Sequence, residues 1–166
     1  GMTKFGRHAD LSSRELFVEA LSKTEATVDR NFDLKMIQAL FLGNFTSDLF
    51  EHQAHTGPLM ADWAGLCPVP STRVEGACAT GSMAVRTGIM KVASGLADVV
   101  LVVGAEKMTE VPTSMATEIM GKAGDSIWEY PFGTTFPGYY AMIANAHMAE
   151  YGTTEEQLAI VSVKNH

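Results

Sequence analysis

The sequence predicts an α/β fold, a layered βαβαβ arrangement with a parallel-rich sheet and helices on both faces. Three observations carry this. Helical and strand periodicities alternate through the first hundred residues, the signature of crossover connections in a parallel sheet. The run Val99–Val103 is unbroken valine and leucine, the pattern of a strand buried on both faces of such a sheet. Hydrophobic residues make up 46% of the 166 positions and charged residues 19%, enough apolar material for a core and too little charge for a disordered chain.

Each element has its own justification. Ser12 and Glu15 have capping-box spacing, and an amphipathic helix comes next, with Leu16, Phe17, Ala20, Leu21 and Val28 on its apolar face. Met36–Phe45 reads as a buried strand and Gln53–Trp63 as a helix, which Pro68 and Pro70 separate from the second strand. Thr72–Ala77 is that short strand. Thr80–Ser94 is a helix whose core face is Val85, Ile89, Val92 and Leu96, with Gly95 where a helix C-terminus favours glycine. Asp98–Gly104 is the third strand.

After Gly104 the periodicity is lost. Glu106–Phe136 carries Met108, Met115, Met120, Trp128, Tyr130 and Phe132 without a clean repeat. A stretch this long implies a functional loop or an inserted subdomain. Tyr139–Glu150 and Glu155–Asn165 are two further helices separated by Gly152, with Thr153 and Glu156 at capping-box spacing. The expected division is an α/β core over 1–105 and the beginning of an insertion over 106–166.

Composition also excludes. A net charge of −7 with no basic patch is the wrong footprint for nucleic acid. No apolar run approaches membrane-spanning length, and residues 2–9 lack the apolar centre of a secretory signal. Two cysteines allow one disulfide at most, so a reducing, cytoplasmic setting is expected. No Gly-Lys-Ser/Thr sequence is present, which argues against a nucleoside triphosphatase.

The chemistry is concentrated in Arg73-Val-Glu-Gly-Ala-Cys78-Ala-Thr-Gly-Ser-Met-Ala84. A strand runs into Cys78, a helix starts after it, and Gly76, Ala77, Ala79, Gly81 and Ser82 leave room for a sharp turn. A helix amino terminus favours a thiolate and offers N–H groups to an oxyanion. From the residues alone two readings stand, a nucleophile and a small cysteine packing helix against sheet.

Other candidates read as structural. His52 and His55 with Cys67 and Cys78 lack the close cysteine pair of a zinc site, so no metal is expected. Cys67 is expected to pack in the loop feeding the second strand, and His147 to be a structural histidine on its helix. Glu75, Asp98 and Glu106 are scattered and form no paired-carboxylate site.

Five segments resemble one family: Val74–Ala84, Ala97-Asp-Val-Val-Leu-Val-Val-Gly-Ala-Glu-Lys-Met-Thr109, Phe132-Gly-Thr-Thr-Phe-Pro-Gly138, His147-Met-Ala-Glu-Tyr-Gly152 and Val163-Lys-Asn-His166. They resemble the thiolases, in particular the archaeal and sterol-carrier-protein-type branch. The resemblance implies a thiolase-like layered fold. It implies that Cys78 takes an acyl group from coenzyme A and that its own N–H helps hold the oxyanion. Phe132 and Met108 would then contact substrate. The substrate would be a coenzyme A thioester, with no further cofactor. The assembly implied is a homodimer or homotetramer through Thr72–Ala77.

The family's second-half motifs are absent: a Gly-His-Pro-type histidine, an Asn- or His-containing loop and a Cys-Gly-Gly-type turn. The expectation is a fragment without the C-terminal half. Ketoacyl synthases and hydroxymethylglutaryl-CoA synthases share the fold and cysteine, but Glu106-Lys-Met-Thr109 favours thiolase. A non-catalytic thiolase-like subunit that binds acyl-CoA or a partner is the alternative from another class.

Overall fold

The computed structural model describes residues 1–28 and 31–166. They form two compact units, Gly1–Pro112 and Thr113–His166. The expected boundary after residue 105 falls inside the first unit, because the next residues are tied back into it. Glu106 bonds the loop after the first strand, and the buried Lys107 ammonium bonds the Leu11 carbonyl.

The first unit is built on three parallel strands: β1 (Ala39–Gly43), β2 (Ser71–Val74) and β3 (Val100–Gly104). Their order is β2-β1-β3. The chain steps from β1 out to β2 and then back past β1 to β3. Right-handed crossovers for both steps require connecting helices on opposite faces. Leu40, Leu42 and Leu101 accordingly face α1 (Ser13–Glu25) and α3 (Thr56–Trp63), packing with Phe17, Leu21, Met60 and Ala61. Phe41, Val100 and Val102 face α4 (Thr80–Ala93). A four-residue helix, α2 (Ser47–Phe50), comes after β1.

Several expectations hold and several shift. The Ser12–Glu15 capping box forms and starts α1, but Val28 lies beyond the helix and is exposed. β1 is shorter than Met36–Phe45 because a 3-10 turn at Leu34–Met36, capped by Asp33, precedes it. α3 starts at Thr56 rather than Gln53, since His52 and His55 adopt left-handed backbone at φ 53° and 60°. β3 starts at Val100, because the Gln38 side chain takes the Asp98 and Val99 N–H groups. It is not buried on both faces: Leu101 is buried, while Val100 and Val102 are half-buried.

The largest correction concerns α4. Its expected core face is exposed, with Ile89 at 64% and Leu96 at 72%. The buried positions are Thr80, Ala84 and Gly88. The reason is close approach: a Cβ on Gly88 would lie 2.6 Å from Val102 Cγ2, and one on Gly43 would lie 3.4 Å from Ala84 Cβ. Small residues seat the helix, and the larger aliphatics stand on another face, where Val85, Ile89 and Val92 line an apolar groove.

The second unit is helical: α5 (Thr113–Gly121), α6 (Phe136–Tyr151) and α7 (Glu155–Asn165). The aperiodic stretch 106–136 therefore contains a helix and a 3-10 turn at Tyr130–Phe132. α6 begins three residues before Tyr139, capped by Thr135 with a proline in its first turn. The capping box of α7 is Thr154 with Gln157, one residue later than expected. Thr153 instead bonds His147 Nδ1 at 2.9 Å, which fits the structural reading of that histidine.

Candidate functional site at the Cys78 turn

β2 ends at Val74, not Ala77, because the chain must turn before Cys78. Glu75 Oε1 accepts the Ala77 N–H at 2.6 Å. Ala77 then takes φ 46°, the left-handed region. A non-glycine residue held there costs about 1–3 kcal/mol. Thr80, which is buried, fixes the far side: its Oγ1 accepts the Gly76 N–H at 3.0 Å and donates to the Ala77 carbonyl at 2.6 Å. The Ala79 N–H closes the 3-10 turn over Ala77–Ala79 on the Gly76 carbonyl at 2.9 Å. Met83 packs over Gly76: a Cβ there would lie 2.0 Å from Met83 Sδ, so the methionine side chain would have to move.

The outcome is an exposed Cys78 thiol at the mouth of a fourteen-residue helix whose first turn has no side-chain cap. Uncapped first-turn N–H groups are donors available to an anion. The packing alternative fails for Cys78 because the residue is exposed. It fails for Cys67 as well, which is also exposed and donates to Asp62 Oδ1 at 3.7 Å. Desolvation, the Asp62 charge and that hydrogen bond push the Cys67 thiol above its usual range.

Cys78 stands beyond the carboxyl ends of the strands, where open α/β sheets place ligands. The same edge holds a network that the scattered carboxylates did not suggest. Glu106 accepts N–H groups of Phe45 at 2.7 Å and Thr46 at 3.3 Å, with Asn44 Nδ2 at 3.4 Å. Arg73 donates to the Asn44 carbonyl at 3.0 Å and the Phe45 carbonyl at 2.5 Å, and pairs with Asp48 at 2.7 Å. Burial pushes the Glu106 carboxyl up, against the opposing pull of the two N–H groups and Arg73. Its only sequence signal was position, two residues after a strand.

Met108 lines a cleft of about 580 Å³ with Leu16, Lys107 and residues 3–8; Cys78 is not among its walls. Phe132 lies in the second unit, on the 3-10 turn, 75% exposed. His52, His55, Cys67 and Cys78 are not assembled into a metal-binding group among the described residues.

The family profile described as "Thiolase, N-terminal domain" matches residues 1–166. The chain belongs to the thiolase family. It is 49% identical over 164 residues to an acetyl-CoA acetyltransferase of Methanothermobacter thermautotrophicus, covering 99% of this chain and 42% of that protein. A protein of the same name from Methanocaldococcus jannaschii is 49% identical over 166 residues, covering 100% and 41%. The benzoylsuccinyl-CoA thiolase subunit BbsB of Thauera aromatica is 36% identical over 169 residues, covering 99% and 40%. The thiolase chain described here thus spans about two-fifths of the length of these curated relatives. The α/β core with its parallel sheet is that of a thiolase N-terminal domain.

Proposed function

We propose that this chain carries the acylation site of a thiolase-type acyl-CoA acyltransferase, with Cys78 as nucleophile. The observation that carries the reading is the strained, doubly clamped turn that exposes this thiol at an uncapped helix start. The thiolate attacks the thioester carbonyl and a carbon–sulfur bond forms. The oxyanion is held by N–H groups at the helix start, including that of Cys78. Its collapse breaks the bond to coenzyme A, whose sulfur leaves as thiolate and is then protonated. The acyl-enzyme then serves a Claisen condensation, or forms in the reverse cleavage. The relatives named acetyl-CoA acetyltransferase support this class.

In this reading Met108 and Phe132 contact the acyl-CoA. Both roles rest on the match to the thiolase family. The reaction needs no cofactor beyond the coenzyme A thioester. A cytoplasmic setting is supported by two free thiols. No helix is long and apolar enough to cross a membrane among the described residues. A homodimer through β2 and the turn after it is supported by the place of β2 at the end of the strand order. An edge strand presents unpaired backbone groups for a partner strand. The dimer gives a light-scattering mass of twice 17.9 kDa.

The test of the nucleophile is competitive alkylation. Iodoacetamide at neutral pH, with labelled peptides read by mass spectrometry, is expected to label Cys78 well before Cys67. Equal labelling, or preference for Cys67, would remove the assignment.

A further inference from the structure

The strand order β2-β1-β3 puts the topological switch point between β1 and β3, the crevice where doubly wound sheets admit a ligand. Here the chain's own side chains bridge that crevice. Glu106, just past β3, spans it to the Phe45 and Thr46 N–H groups past β1. Asn44 locks the same junction, donating from Nδ2 to the Ala105 carbonyl at 2.9 Å and from its backbone to the Val74 carbonyl at 3.2 Å. Its Oδ1 accepts from the Ser47 N–H at 3.2 Å and hydroxyl at 2.7 Å. Arg73 completes the knot from β2, five residues before Cys78.

All three strand ends are thereby fastened to one loop. Among the described residues, Glu106 is the member that contributes from β3 through a side chain, and Arg73 the one that grips the loop from β2. Between Arg73 and the nucleophile lie the end of β2 and the Glu75–Ala77 turn. The direction in which β2 leaves the sheet sets where that turn begins.

We propose that Glu106 and Arg73 are positioning residues for Cys78: by fastening the 44–46 loop across the ends of all three strands, they set the exit of β2 and so the placement of the thiol. Neither touches the reacting atoms. The proposal rests on the reading of Cys78 as nucleophile, and its test separates the two.

The probe is 2,2′-dipyridyl disulfide, with the reaction at each cysteine tracked by quenched peptide mass spectrometry. Cys67 precedes β2 by four residues and Cys78 lies four beyond it, so Cys67 reports loosening of the fold within the same molecule. The wild-type rate ratio of Cys78 to Cys67 tests the nucleophile. The variant-to-wild-type ratio at Cys78 tests the positioning. Glu106→Ala is expected to slow Cys78 at least about threefold while Cys67 stays within about twofold, because thiol–disulfide exchange depends on access to the attacking sulfur, which the turn sets. Glu106→Gln, which keeps one acceptor oxygen, recovers part of the rate. Arg73→Lys, which keeps the charge beside Asp48 but loses the planar fork, also slows Cys78 alone. If Glu106→Ala fails to fold, Arg73→Lys and Glu106→Gln decide. Cys78 rates unchanged in the folded variants, or both cysteines shifting together, would overturn the proposal.

Discussion

At the scale of single residues, the two cysteines of this chain differ in what surrounds them rather than in exposure. Cys78 comes after a left-handed alanine and before an uncapped helix. Cys67 donates to Asp62, and that carboxylate makes loss of its proton harder. A negative charge beside a thiol disfavours the thiolate, and only the thiolate reacts. Asp62→Asn should therefore lower the Cys67 pKa and speed its alkylation at neutral pH, leaving Cys78 unchanged. Peptide-resolved alkylation rates check this, and an unchanged Cys67 rate would mean that Asp62 does not govern it. The sequence pointed to Cys78 through its small neighbours. It could not show that Ala77, rather than one of the flanking glycines, absorbs the left-handed turn. Nor could it show the clamp by Thr80, because that clamp depends on a strand ending three residues early.

At the scale of elements, the legible features were those with a local physical signature. The Ser12–Glu15 capping box, Gly95 at φ 71° after α4, and the parallel αβ alternation all arise from spacing within a few residues. The misread features depend on partners distant in sequence. Val85, Ile89 and Val92 repeat with helical period, yet the helix is seated through Thr80, Ala84 and Gly88. Period alone cannot choose between two faces when the sheet opposite demands small residues. The same holds for Glu106, whose partners are about sixty residues away. The seating of α4 predicts that Gly88→Ala destabilises the fold by about 1–3 kcal/mol, the usual cost of overpacking, since the new Cβ meets Val102 and Val100 at 2.6 and 3.4 Å. Ala substitution at a helical glycine normally stabilises by about 1 kcal/mol, so the sign is diagnostic. Urea midpoints for Gly88→Ala and wild type decide it, and a stabilised variant would show that α4 does not sit on the sheet through Gly88.

At the scale of the whole molecule, family membership rests on a match along all 166 residues, while the chain spans about two-fifths of the length of its curated relatives. In the proposed function the chain supplies Cys78 as nucleophile, with backbone donors at the helix start. Of its five histidines, His8, His147 and His166 bond oxygens of Lys4, Thr153 and Ser162, and no hydrogen bond joins a histidine to Cys78 among the described residues. General-base assistance contributes about a hundredfold to ten-thousandfold, so acyl transfer to Cys78 in this chain should be slow and stop after one event. The measurement that tests the central claim most directly is peptide mass spectrometry of the 166-residue chain after incubation with acetyl-CoA. A single acetyl group is expected on the peptide containing Cys78, absent in Cys78→Ala, with no multiple turnover of acetoacetyl-CoA. Acetylation of Cys67 in its place, or no acetylated cysteine after prolonged incubation, would contradict it.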